Sequence, residues 1–421
     1  MQSKLTSRFV RFLPLLAGIA LVGGFLYYLI GSVSQAQHEN SFSNASAKDL
    51  AAAQAHTPDN PGVMYELAHR LERDGKNEDA RALMQKLVQK EPQNLTYWKG
   101  LARCAAESGH ALDALDAYKK GYELSPQWAV GHLKRGEILA SAGLTTEALQ
   151  EYDLGAKIDP GAETNVEPWA RSLLAKGRDQ EAWDRIVAGT KKIMLSDGCY
   201  ELLTDAGIRL GRTAEADTIL ENRISFTASY PAGKFHMCEL RVALADKPDA
   251  ATLKAMEVVA FNATHETYPL PECYAMLGKI RMLRGDLTGA ESALKTGITL
   301  KTGDTSVCLE ELAEVYHRTG RAEQEKQIRS RIRKETGETP ELAALRQAAH
   351  LAPHDTATLS ALAKALEAAG KFGEAADTYE NILTISPQDP TASAKRDPLR
   401  RKALEQLDKA GRKIATETPP E

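Results

Sequence analysis

"DALDAYKKGYELSP" (Asp113–Pro126) has counterparts at one fixed interval on both sides. "DARALMQKLVQKEP" (Asp79–Pro92) lies 34 residues earlier and "EALQEYDLGAKIDP" (Glu147–Pro160) 34 residues later. Each opens with an acidic residue and Ala, places a large residue four positions after that Ala, and closes on Pro. A constant period in the range of about 20–50 residues marks a stack of like units.

With Pro61 as position 1, position 20 is Ala80, Ala114, Ala148, Ala182, Ala216 and Ala250. Position 15 is Gly75, Gly109, Gly143, Gly177 and Gly211, and position 32 is Pro92, Pro126 and Pro160. Positions 4, 7, 8 and 11 hold Met64, Leu67, Ala68 and Leu71, then Trp98, Leu101, Ala102 and Ala105. That spacing puts them on one face of a helix. Gly at 15 accepts the left-handed conformation that ends the helix. A second helix follows, with the small residue at 20 allowing close approach and the large one at 24 filling the next gap. Pro at 32 stops it. One such hairpin cannot bury its apolar face alone, so hairpins stack.

The pattern resembles the tetratricopeptide repeat family over roughly 61–389. The resemblance implies an all-α, right-handed helical-repeat solenoid of about eight units plus a half unit near 340–355. Units 61–94, 95–128 and 129–162 fit best. Unit 231–264 keeps only Ala250 and replaces the glycine turn by "ADKPDAATL"; six extra residues, 265–270, follow it. The chain recovers at 271–304 with Gly278, Gly285 and Ala290. Near 305–339 Glu325 stands where Ala is expected, and "EAADTYENILTISP" (Glu374–Pro387) restores the motif. The array is thus irregular at 231–270 and 305–355. Residues 390–421 read as a charged capping helix and tail.

Before the array the chain changes character. Phe12–Gly31 is twenty residues without a charge, the length that crosses a hydrocarbon core about 30 Å thick. Lys4, Arg8 and Arg11 precede it and the next basic residue is Lys48, so the basic N-terminus 1–11 stays cytoplasmic and the rest is exported. The expectation is a transmembrane signal anchor at 12–31, a polar tether at 32–60 with a helical turn near Lys48–Ala55, and a repeat array on the periplasmic side of a bacterial inner membrane. The alternative is a cleaved signal, with "SQA" ending at Ala36 as the processing site.

Composition narrows the function. Net charge is −4 and charged residues are 26% of the chain, which lacks the basic footprint of a nucleic-acid binder. There is no C-x-x-C, no G-x-x-x-x-G-K and no G-x-S-x-G, so no metal ribbon, phosphate loop or nucleophile elbow is written in the chain. No cofactor or metal is expected. The cysteines read as small packing residues, the alternative being a disulfide between Cys273 and Cys308. Three glycosylation sequons, at Asn44, Asn94 and Asn262, matter only in a eukaryotic secretory route.

The resemblance places a concave groove on the first helices, at positions 2, 5, 9, 12 and 13. Candidate groove residues are Tyr65, His69, Lys99, Arg103, Lys134, Arg171, Phe235 and Lys279, with Glu137, Glu167, Glu201, Asp205 and Glu239 among them. Lys99, Arg103, Lys134 and Arg171 suggest a basic stretch for a peptide carboxylate, against the plainer reading of a solvated mixed-charge face. Chaperone-binding members hold a terminal carboxylate with Lys and Asn at positions 5 and 9. Here Tyr65 and His69 stand there, so that clamp is not supported. The expectation is a non-catalytic, membrane-tethered scaffold that binds a protein or peptide partner in its groove, with self-association open and no nucleic acid involved. One alternative is a cytosol-facing adaptor or receptor. A remoter one is an enzyme using His236, Glu239, His265 and Glu266.

Overall fold

The computed structural model describes residues 46–159, 166–190, 195–224, 241, 243–244, 247–265, 269–300 and 304–417. Among them every regular element is an α-helix. None is long and apolar enough to cross a membrane; the 12–31 stretch lies outside the described residues. The chain divides into two compact units, 1–126 with 409–421, and 127–408.

The smaller unit begins with α1 (Ala47–His56). Ser46 caps it by accepting from the Asp49 N–H, and Leu50 is buried. Ten residues are helical where one turn was expected, because a run of alanines with one large apolar residue carries little periodicity. Two hairpins follow: α2 (Pro61–Arg73) with α3 (Asn77–Lys90), and α4 (Leu95–Glu107) with α5 (Ala111–Leu124). The first helix of each hairpin is capped by Asn60 or Asn94, whose side-chain oxygen accepts from the first-turn N–H groups. Gly75 and Gly109 end the first helices at φ of +74° and +77°. Ala80, Met84 and Ala114 are fully buried and Tyr118 nearly so. Trp98, read as a core residue, lies at the rim and donates its indole N–H to the Pro92 carbonyl at 2.7 Å. Tyr97 beside it is buried instead. Gly411 packs backbone to backbone against Gly109.

The larger unit continues the order: α6 (Ala129–Ser141), α7 (Thr145–Ile158), α8 (Val166–Ala175), α9 (Asp179–Thr190), α10 (Asp197–Leu210) and α11 (Thr213–Ile224). Gly143, Gly177 and Gly211 have positive φ, and Ala148, Ala182 and Ala216 are wholly buried. The position-24 residues Tyr152, Ile186 and Leu220 are buried with them.

The sixth alanine departs from the pattern. Ala250 is exposed and is the first residue of α12 (Ala250–Ala263). Ala245 holds the glycine position, and Lys247 takes the left-handed conformation at φ +53°. The second helix therefore starts about one turn late, and Leu253, Met256, Ala260 and Ala263 form its buried face. The phase returns with α13 (Pro271–Leu283) and α14 (Leu287–Ile298), then α15 (Ser306–Arg318) and α16 (Ala322–Thr336). Among the described side chains of α16 none is fully buried, and Ile328 is partly buried against the core of α14 and α15. Glu325, at the alanine position, pairs with His317 on α15 and with Arg329 on its own helix instead of packing as a small buried residue. The half unit is a single helix, α17 (Pro340–Leu351). The last hairpin, α18 (Thr356–Ala368) with α19 (Phe372–Ile385), is followed by α20 (Pro390–Glu417), which buries Ala392, Leu399, Ala403 and Leu404.

Cys104, Cys199, Cys273 and Cys308 are buried free thiols. Cys308 donates to the Pro271 carbonyl at 3.0 Å, so Cys273 and Cys308 pack without a bond between them. Cys238 lies outside the described residues.

Candidate partner-binding groove

The groove residues sit on first helices, which the interlocked alanines and position-24 side chains hold side by side. In the smaller unit Tyr65 is the centre of an aromatic group. Its ring lies 5.6 Å from that of Tyr97 and 6.3 Å from that of His69. Burial, opposed by the nearby Arg103 cation, pushes the Tyr65 phenol above its ordinary value. Arg103 on α4 reaches across to Glu72 on α2, with its second guanidinium nitrogen 2.6 Å from the carboxylate. Lys99 is partly exposed on the same helix face, one turn before Arg103.

In the larger unit the basic candidates are each matched by an acid. Lys134 meets Glu137 at 2.9 Å, and Arg171 meets Glu167 at 3.0 Å. Glu167 also accepts from the Ser196 hydroxyl at 2.7 Å, so α8 and the start of α10 share one carboxylate. Arg241 pairs with Asp205. Lys279 on α13 stands 3.6 Å from Glu311 on α15, whose carboxyl is pushed up by burial against the pull of that lysine.

Lys134 and Arg171 are thus tied to acids of their own helices, and Arg103 and Lys279 to acids on the neighbouring unit. The acids Glu72 and Glu311 escaped the sequence reading. Position 12 of the first unit and the shifted register near 305 were the only clues to them. Tyr97 was missed because its neighbour Trp98 drew the core assignment. Phe235, His236, Glu239 and Glu266 lie outside the described residues. His265 packs on the Phe261 ring at 4.2 Å, with Nδ1 2.9 Å from the Phe261 carbonyl. Among the described residues no group of His, Cys, Asp and Glu has metal-binding geometry.

The tetratricopeptide repeat model matches the chain at 65–127 and 342–390. No curated protein matches it. Three solved bacterial proteins are similar. One is a tetratricopeptide repeat protein from Parabacteroides merdae, 16% identical, covering 69% of this chain and 98% of its own, with a TM-score of 0.38. Another, from Thermus thermophilus, is 20% identical and covers 45% and 100%, also at 0.38. The third, the C-terminal part of a repeat-containing protein from Cytophaga hutchinsonii, is 14% identical and covers 59% and 99%, at 0.44. With a family match at each end of the array and the same helix hairpin recurring in phase between them, the segments 65–127 and 342–390 are tetratricopeptide repeats set in an all-α array of like hairpins.

Proposed function

We propose that this chain is a membrane-tethered, non-catalytic scaffold of the bacterial cell envelope whose array holds a protein or peptide partner. The observation that carries the binding reading is the Tyr65–Tyr97–His69 aromatic group on the first-helix face, with Lys99 and Arg103 beside it. Within that group Tyr65 and His69 are partly exposed and Tyr97 is buried behind them, and aromatic side chains held rigidly in this way are the usual anchors of protein interfaces. The pairing of cations with acids elsewhere along the face disfavours a polyanionic partner and suits a segment with an apolar anchor residue and mixed charge. Tethering is supported by the uncharged Phe12–Gly31 stretch and the basic residues before it.

Two measurements test the reading. Crosslinked affinity capture of the full chain from membranes should recover one dominant partner, with the 61–107 region protected. Tyr65→Ala should reduce that recovery at least about tenfold, as loss of an anchor of about 2 kcal/mol does. Recovery unchanged by Tyr65→Ala removes the anchor assignment. For topology, alkaline phosphatase fused after Glu421 should be active and a green fluorescent protein fusion at the same point dark. The opposite pattern would place the array in the cytosol.

A further inference from the structure

We propose that the last hairpin and α20 dock onto the turn edge of the third and fourth units through an ionic seam. This interaction surface is separate from the groove, and its partner is the chain's own C-terminal module. Three observations within the larger unit carry it. The first is a helix cap supplied from far along the chain. Leu144, the N-cap residue of α7, offers no side-chain acceptor. Asp377 on α19 supplies one: its Oδ1 accepts the Thr146 N–H at 2.7 Å, the bond an N-cap aspartate would make from within its own helix. Its Oδ2 takes Lys176 Nζ at 2.6 Å, and that ammonium also donates to Asn381 Oδ1 at 3.0 Å.

The second is a close backbone approach. Gly373 lies against the Ala142–Gly143 turn, where a Cβ would sit 1.7 Å from the Ala142 carbonyl oxygen. The equivalent position in the other in-phase units is Glu78, Leu112, Thr146, Gln180, Ala214 and Thr288. The only glycine in that series is where another turn must fit. The third is charge matching along the remainder of the seam. Arg400 Nε donates to both oxygens of Glu147, at 2.7 and 2.9 Å. Beside this pair a cavity of about 370 Å³ is lined by Gln150, Glu151, Arg396 and Asp397, among other polar side chains.

A seam built this way closes and opens differently from an apolar core. The Lys176 and Asp377 side chains are only 19% and 12% exposed, so each depends on the other when the seam is closed. The Arg400–Glu147 pair is about 30% exposed and is screened by salt. Closure ties the fourth unit to the last one and fixes the curvature of the first helices between them. Groove width is thereby coupled to a contact that charge controls.

The test places cysteines at Gln150 and Asp397 in the full chain, across the seam and outside its ion pairs to Lys176 and Glu147, and bridges them with a short bis-maleimide. The parent pair should crosslink within one chain. Asp377→Lys should lower the yield about tenfold, because it sets two cations together. Adding Lys176→Asp should restore it. Yield in the parent should also fall between about 0.05 and 0.5 M salt as the Debye length shortens. A yield unchanged in Asp377→Lys at native helicity overturns the seam, as does a crosslink found only between two chains. If Asp377→Lys loses helicity, a salt-independent yield in the parent overturns it.

Discussion

At single positions, the turn glycines separate backbone conformation from packing. Gly211 has φ +68° and nothing within 4 Å of where a Cβ would sit. Gly211→Ala therefore isolates the cost of an L-residue in the left-handed region, about 1–2 kcal/mol. It should lower the denaturation midpoint without touching any side chain. Lys247 is the reverse case, a side chain at φ +53° in the unit that lacks its turn glycine. Lys247→Gly should raise stability by about 1 kcal/mol. If both substitutions leave the midpoint unmoved, the turns are not where the strain lies. Tyr152 is a further test. Its ring is buried and stacked 5.1 Å from Trp169, yet its hydroxyl has no hydrogen-bond partner. Burial pushes its phenol well above the ordinary value. An unsatisfied buried hydroxyl costs about 1–3 kcal/mol, so Tyr152→Phe should be at least as stable as the parent in urea denaturation. A clear loss of stability would mean that a bound water completes the site.

At the scale of helices, the ion pairs between neighbours give the stack a pH dependence. Glu291 on α14 is held down at about 2 by hydrogen bonds from Arg321, at the head of α16, and from Lys295. An acid with a depressed folded value stabilises the fold above the ordinary carboxylate value of 4.5, and that contribution is lost as pH falls toward 2. Glu291→Gln should therefore flatten the decline in stability between about pH 4.5 and 2, read as urea midpoints of variant and parent at each pH. Parallel curves would remove Glu291 from the acid response. The helices themselves were readable in the sequence wherever the Gly–Ala–large triad ran in phase, because each of those residues answers to one steric demand of the hairpin. The triad failed at Ala250, where the turn was built from a lysine and the following helix slid by about a turn. At α16 the missing alanine, Glu325, did mark the irregularity, and the helix there has at most partly buried residues among its described side chains. The candidate groove was legible as a list of positions. Its pairing with acids on the next unit was not, since contacts between units depend on side-chain reach and leave no period in the sequence.

For the whole array, the consequence of stacking is that stability is a sum of local terms, each unit resting on its neighbours. The larger unit has a weak joint. Packing runs without a break through α12, α13, α14 and α15, and then reaches α16, which adds only the partly buried Ile328 to that core. Leu294 tests whether that joint divides the unit. It is wholly buried in α14 against Cys308, Leu312 and Tyr316, and its side chain fills the space over Gly278. Leu294→Ala should cost about 2–5 kcal/mol. In amide hydrogen exchange the loss should appear in α13, α14 and α15, while α7 and α9 keep the protection they have in the parent. The amides of α16 should exchange at least about tenfold faster than those of α14 before any substitution, because opening a helix whose residues are at most partly buried exposes little apolar surface. If Leu294→Ala lowers protection equally from α6 to α19, the unit opens as one cooperative block, and α16 is no boundary.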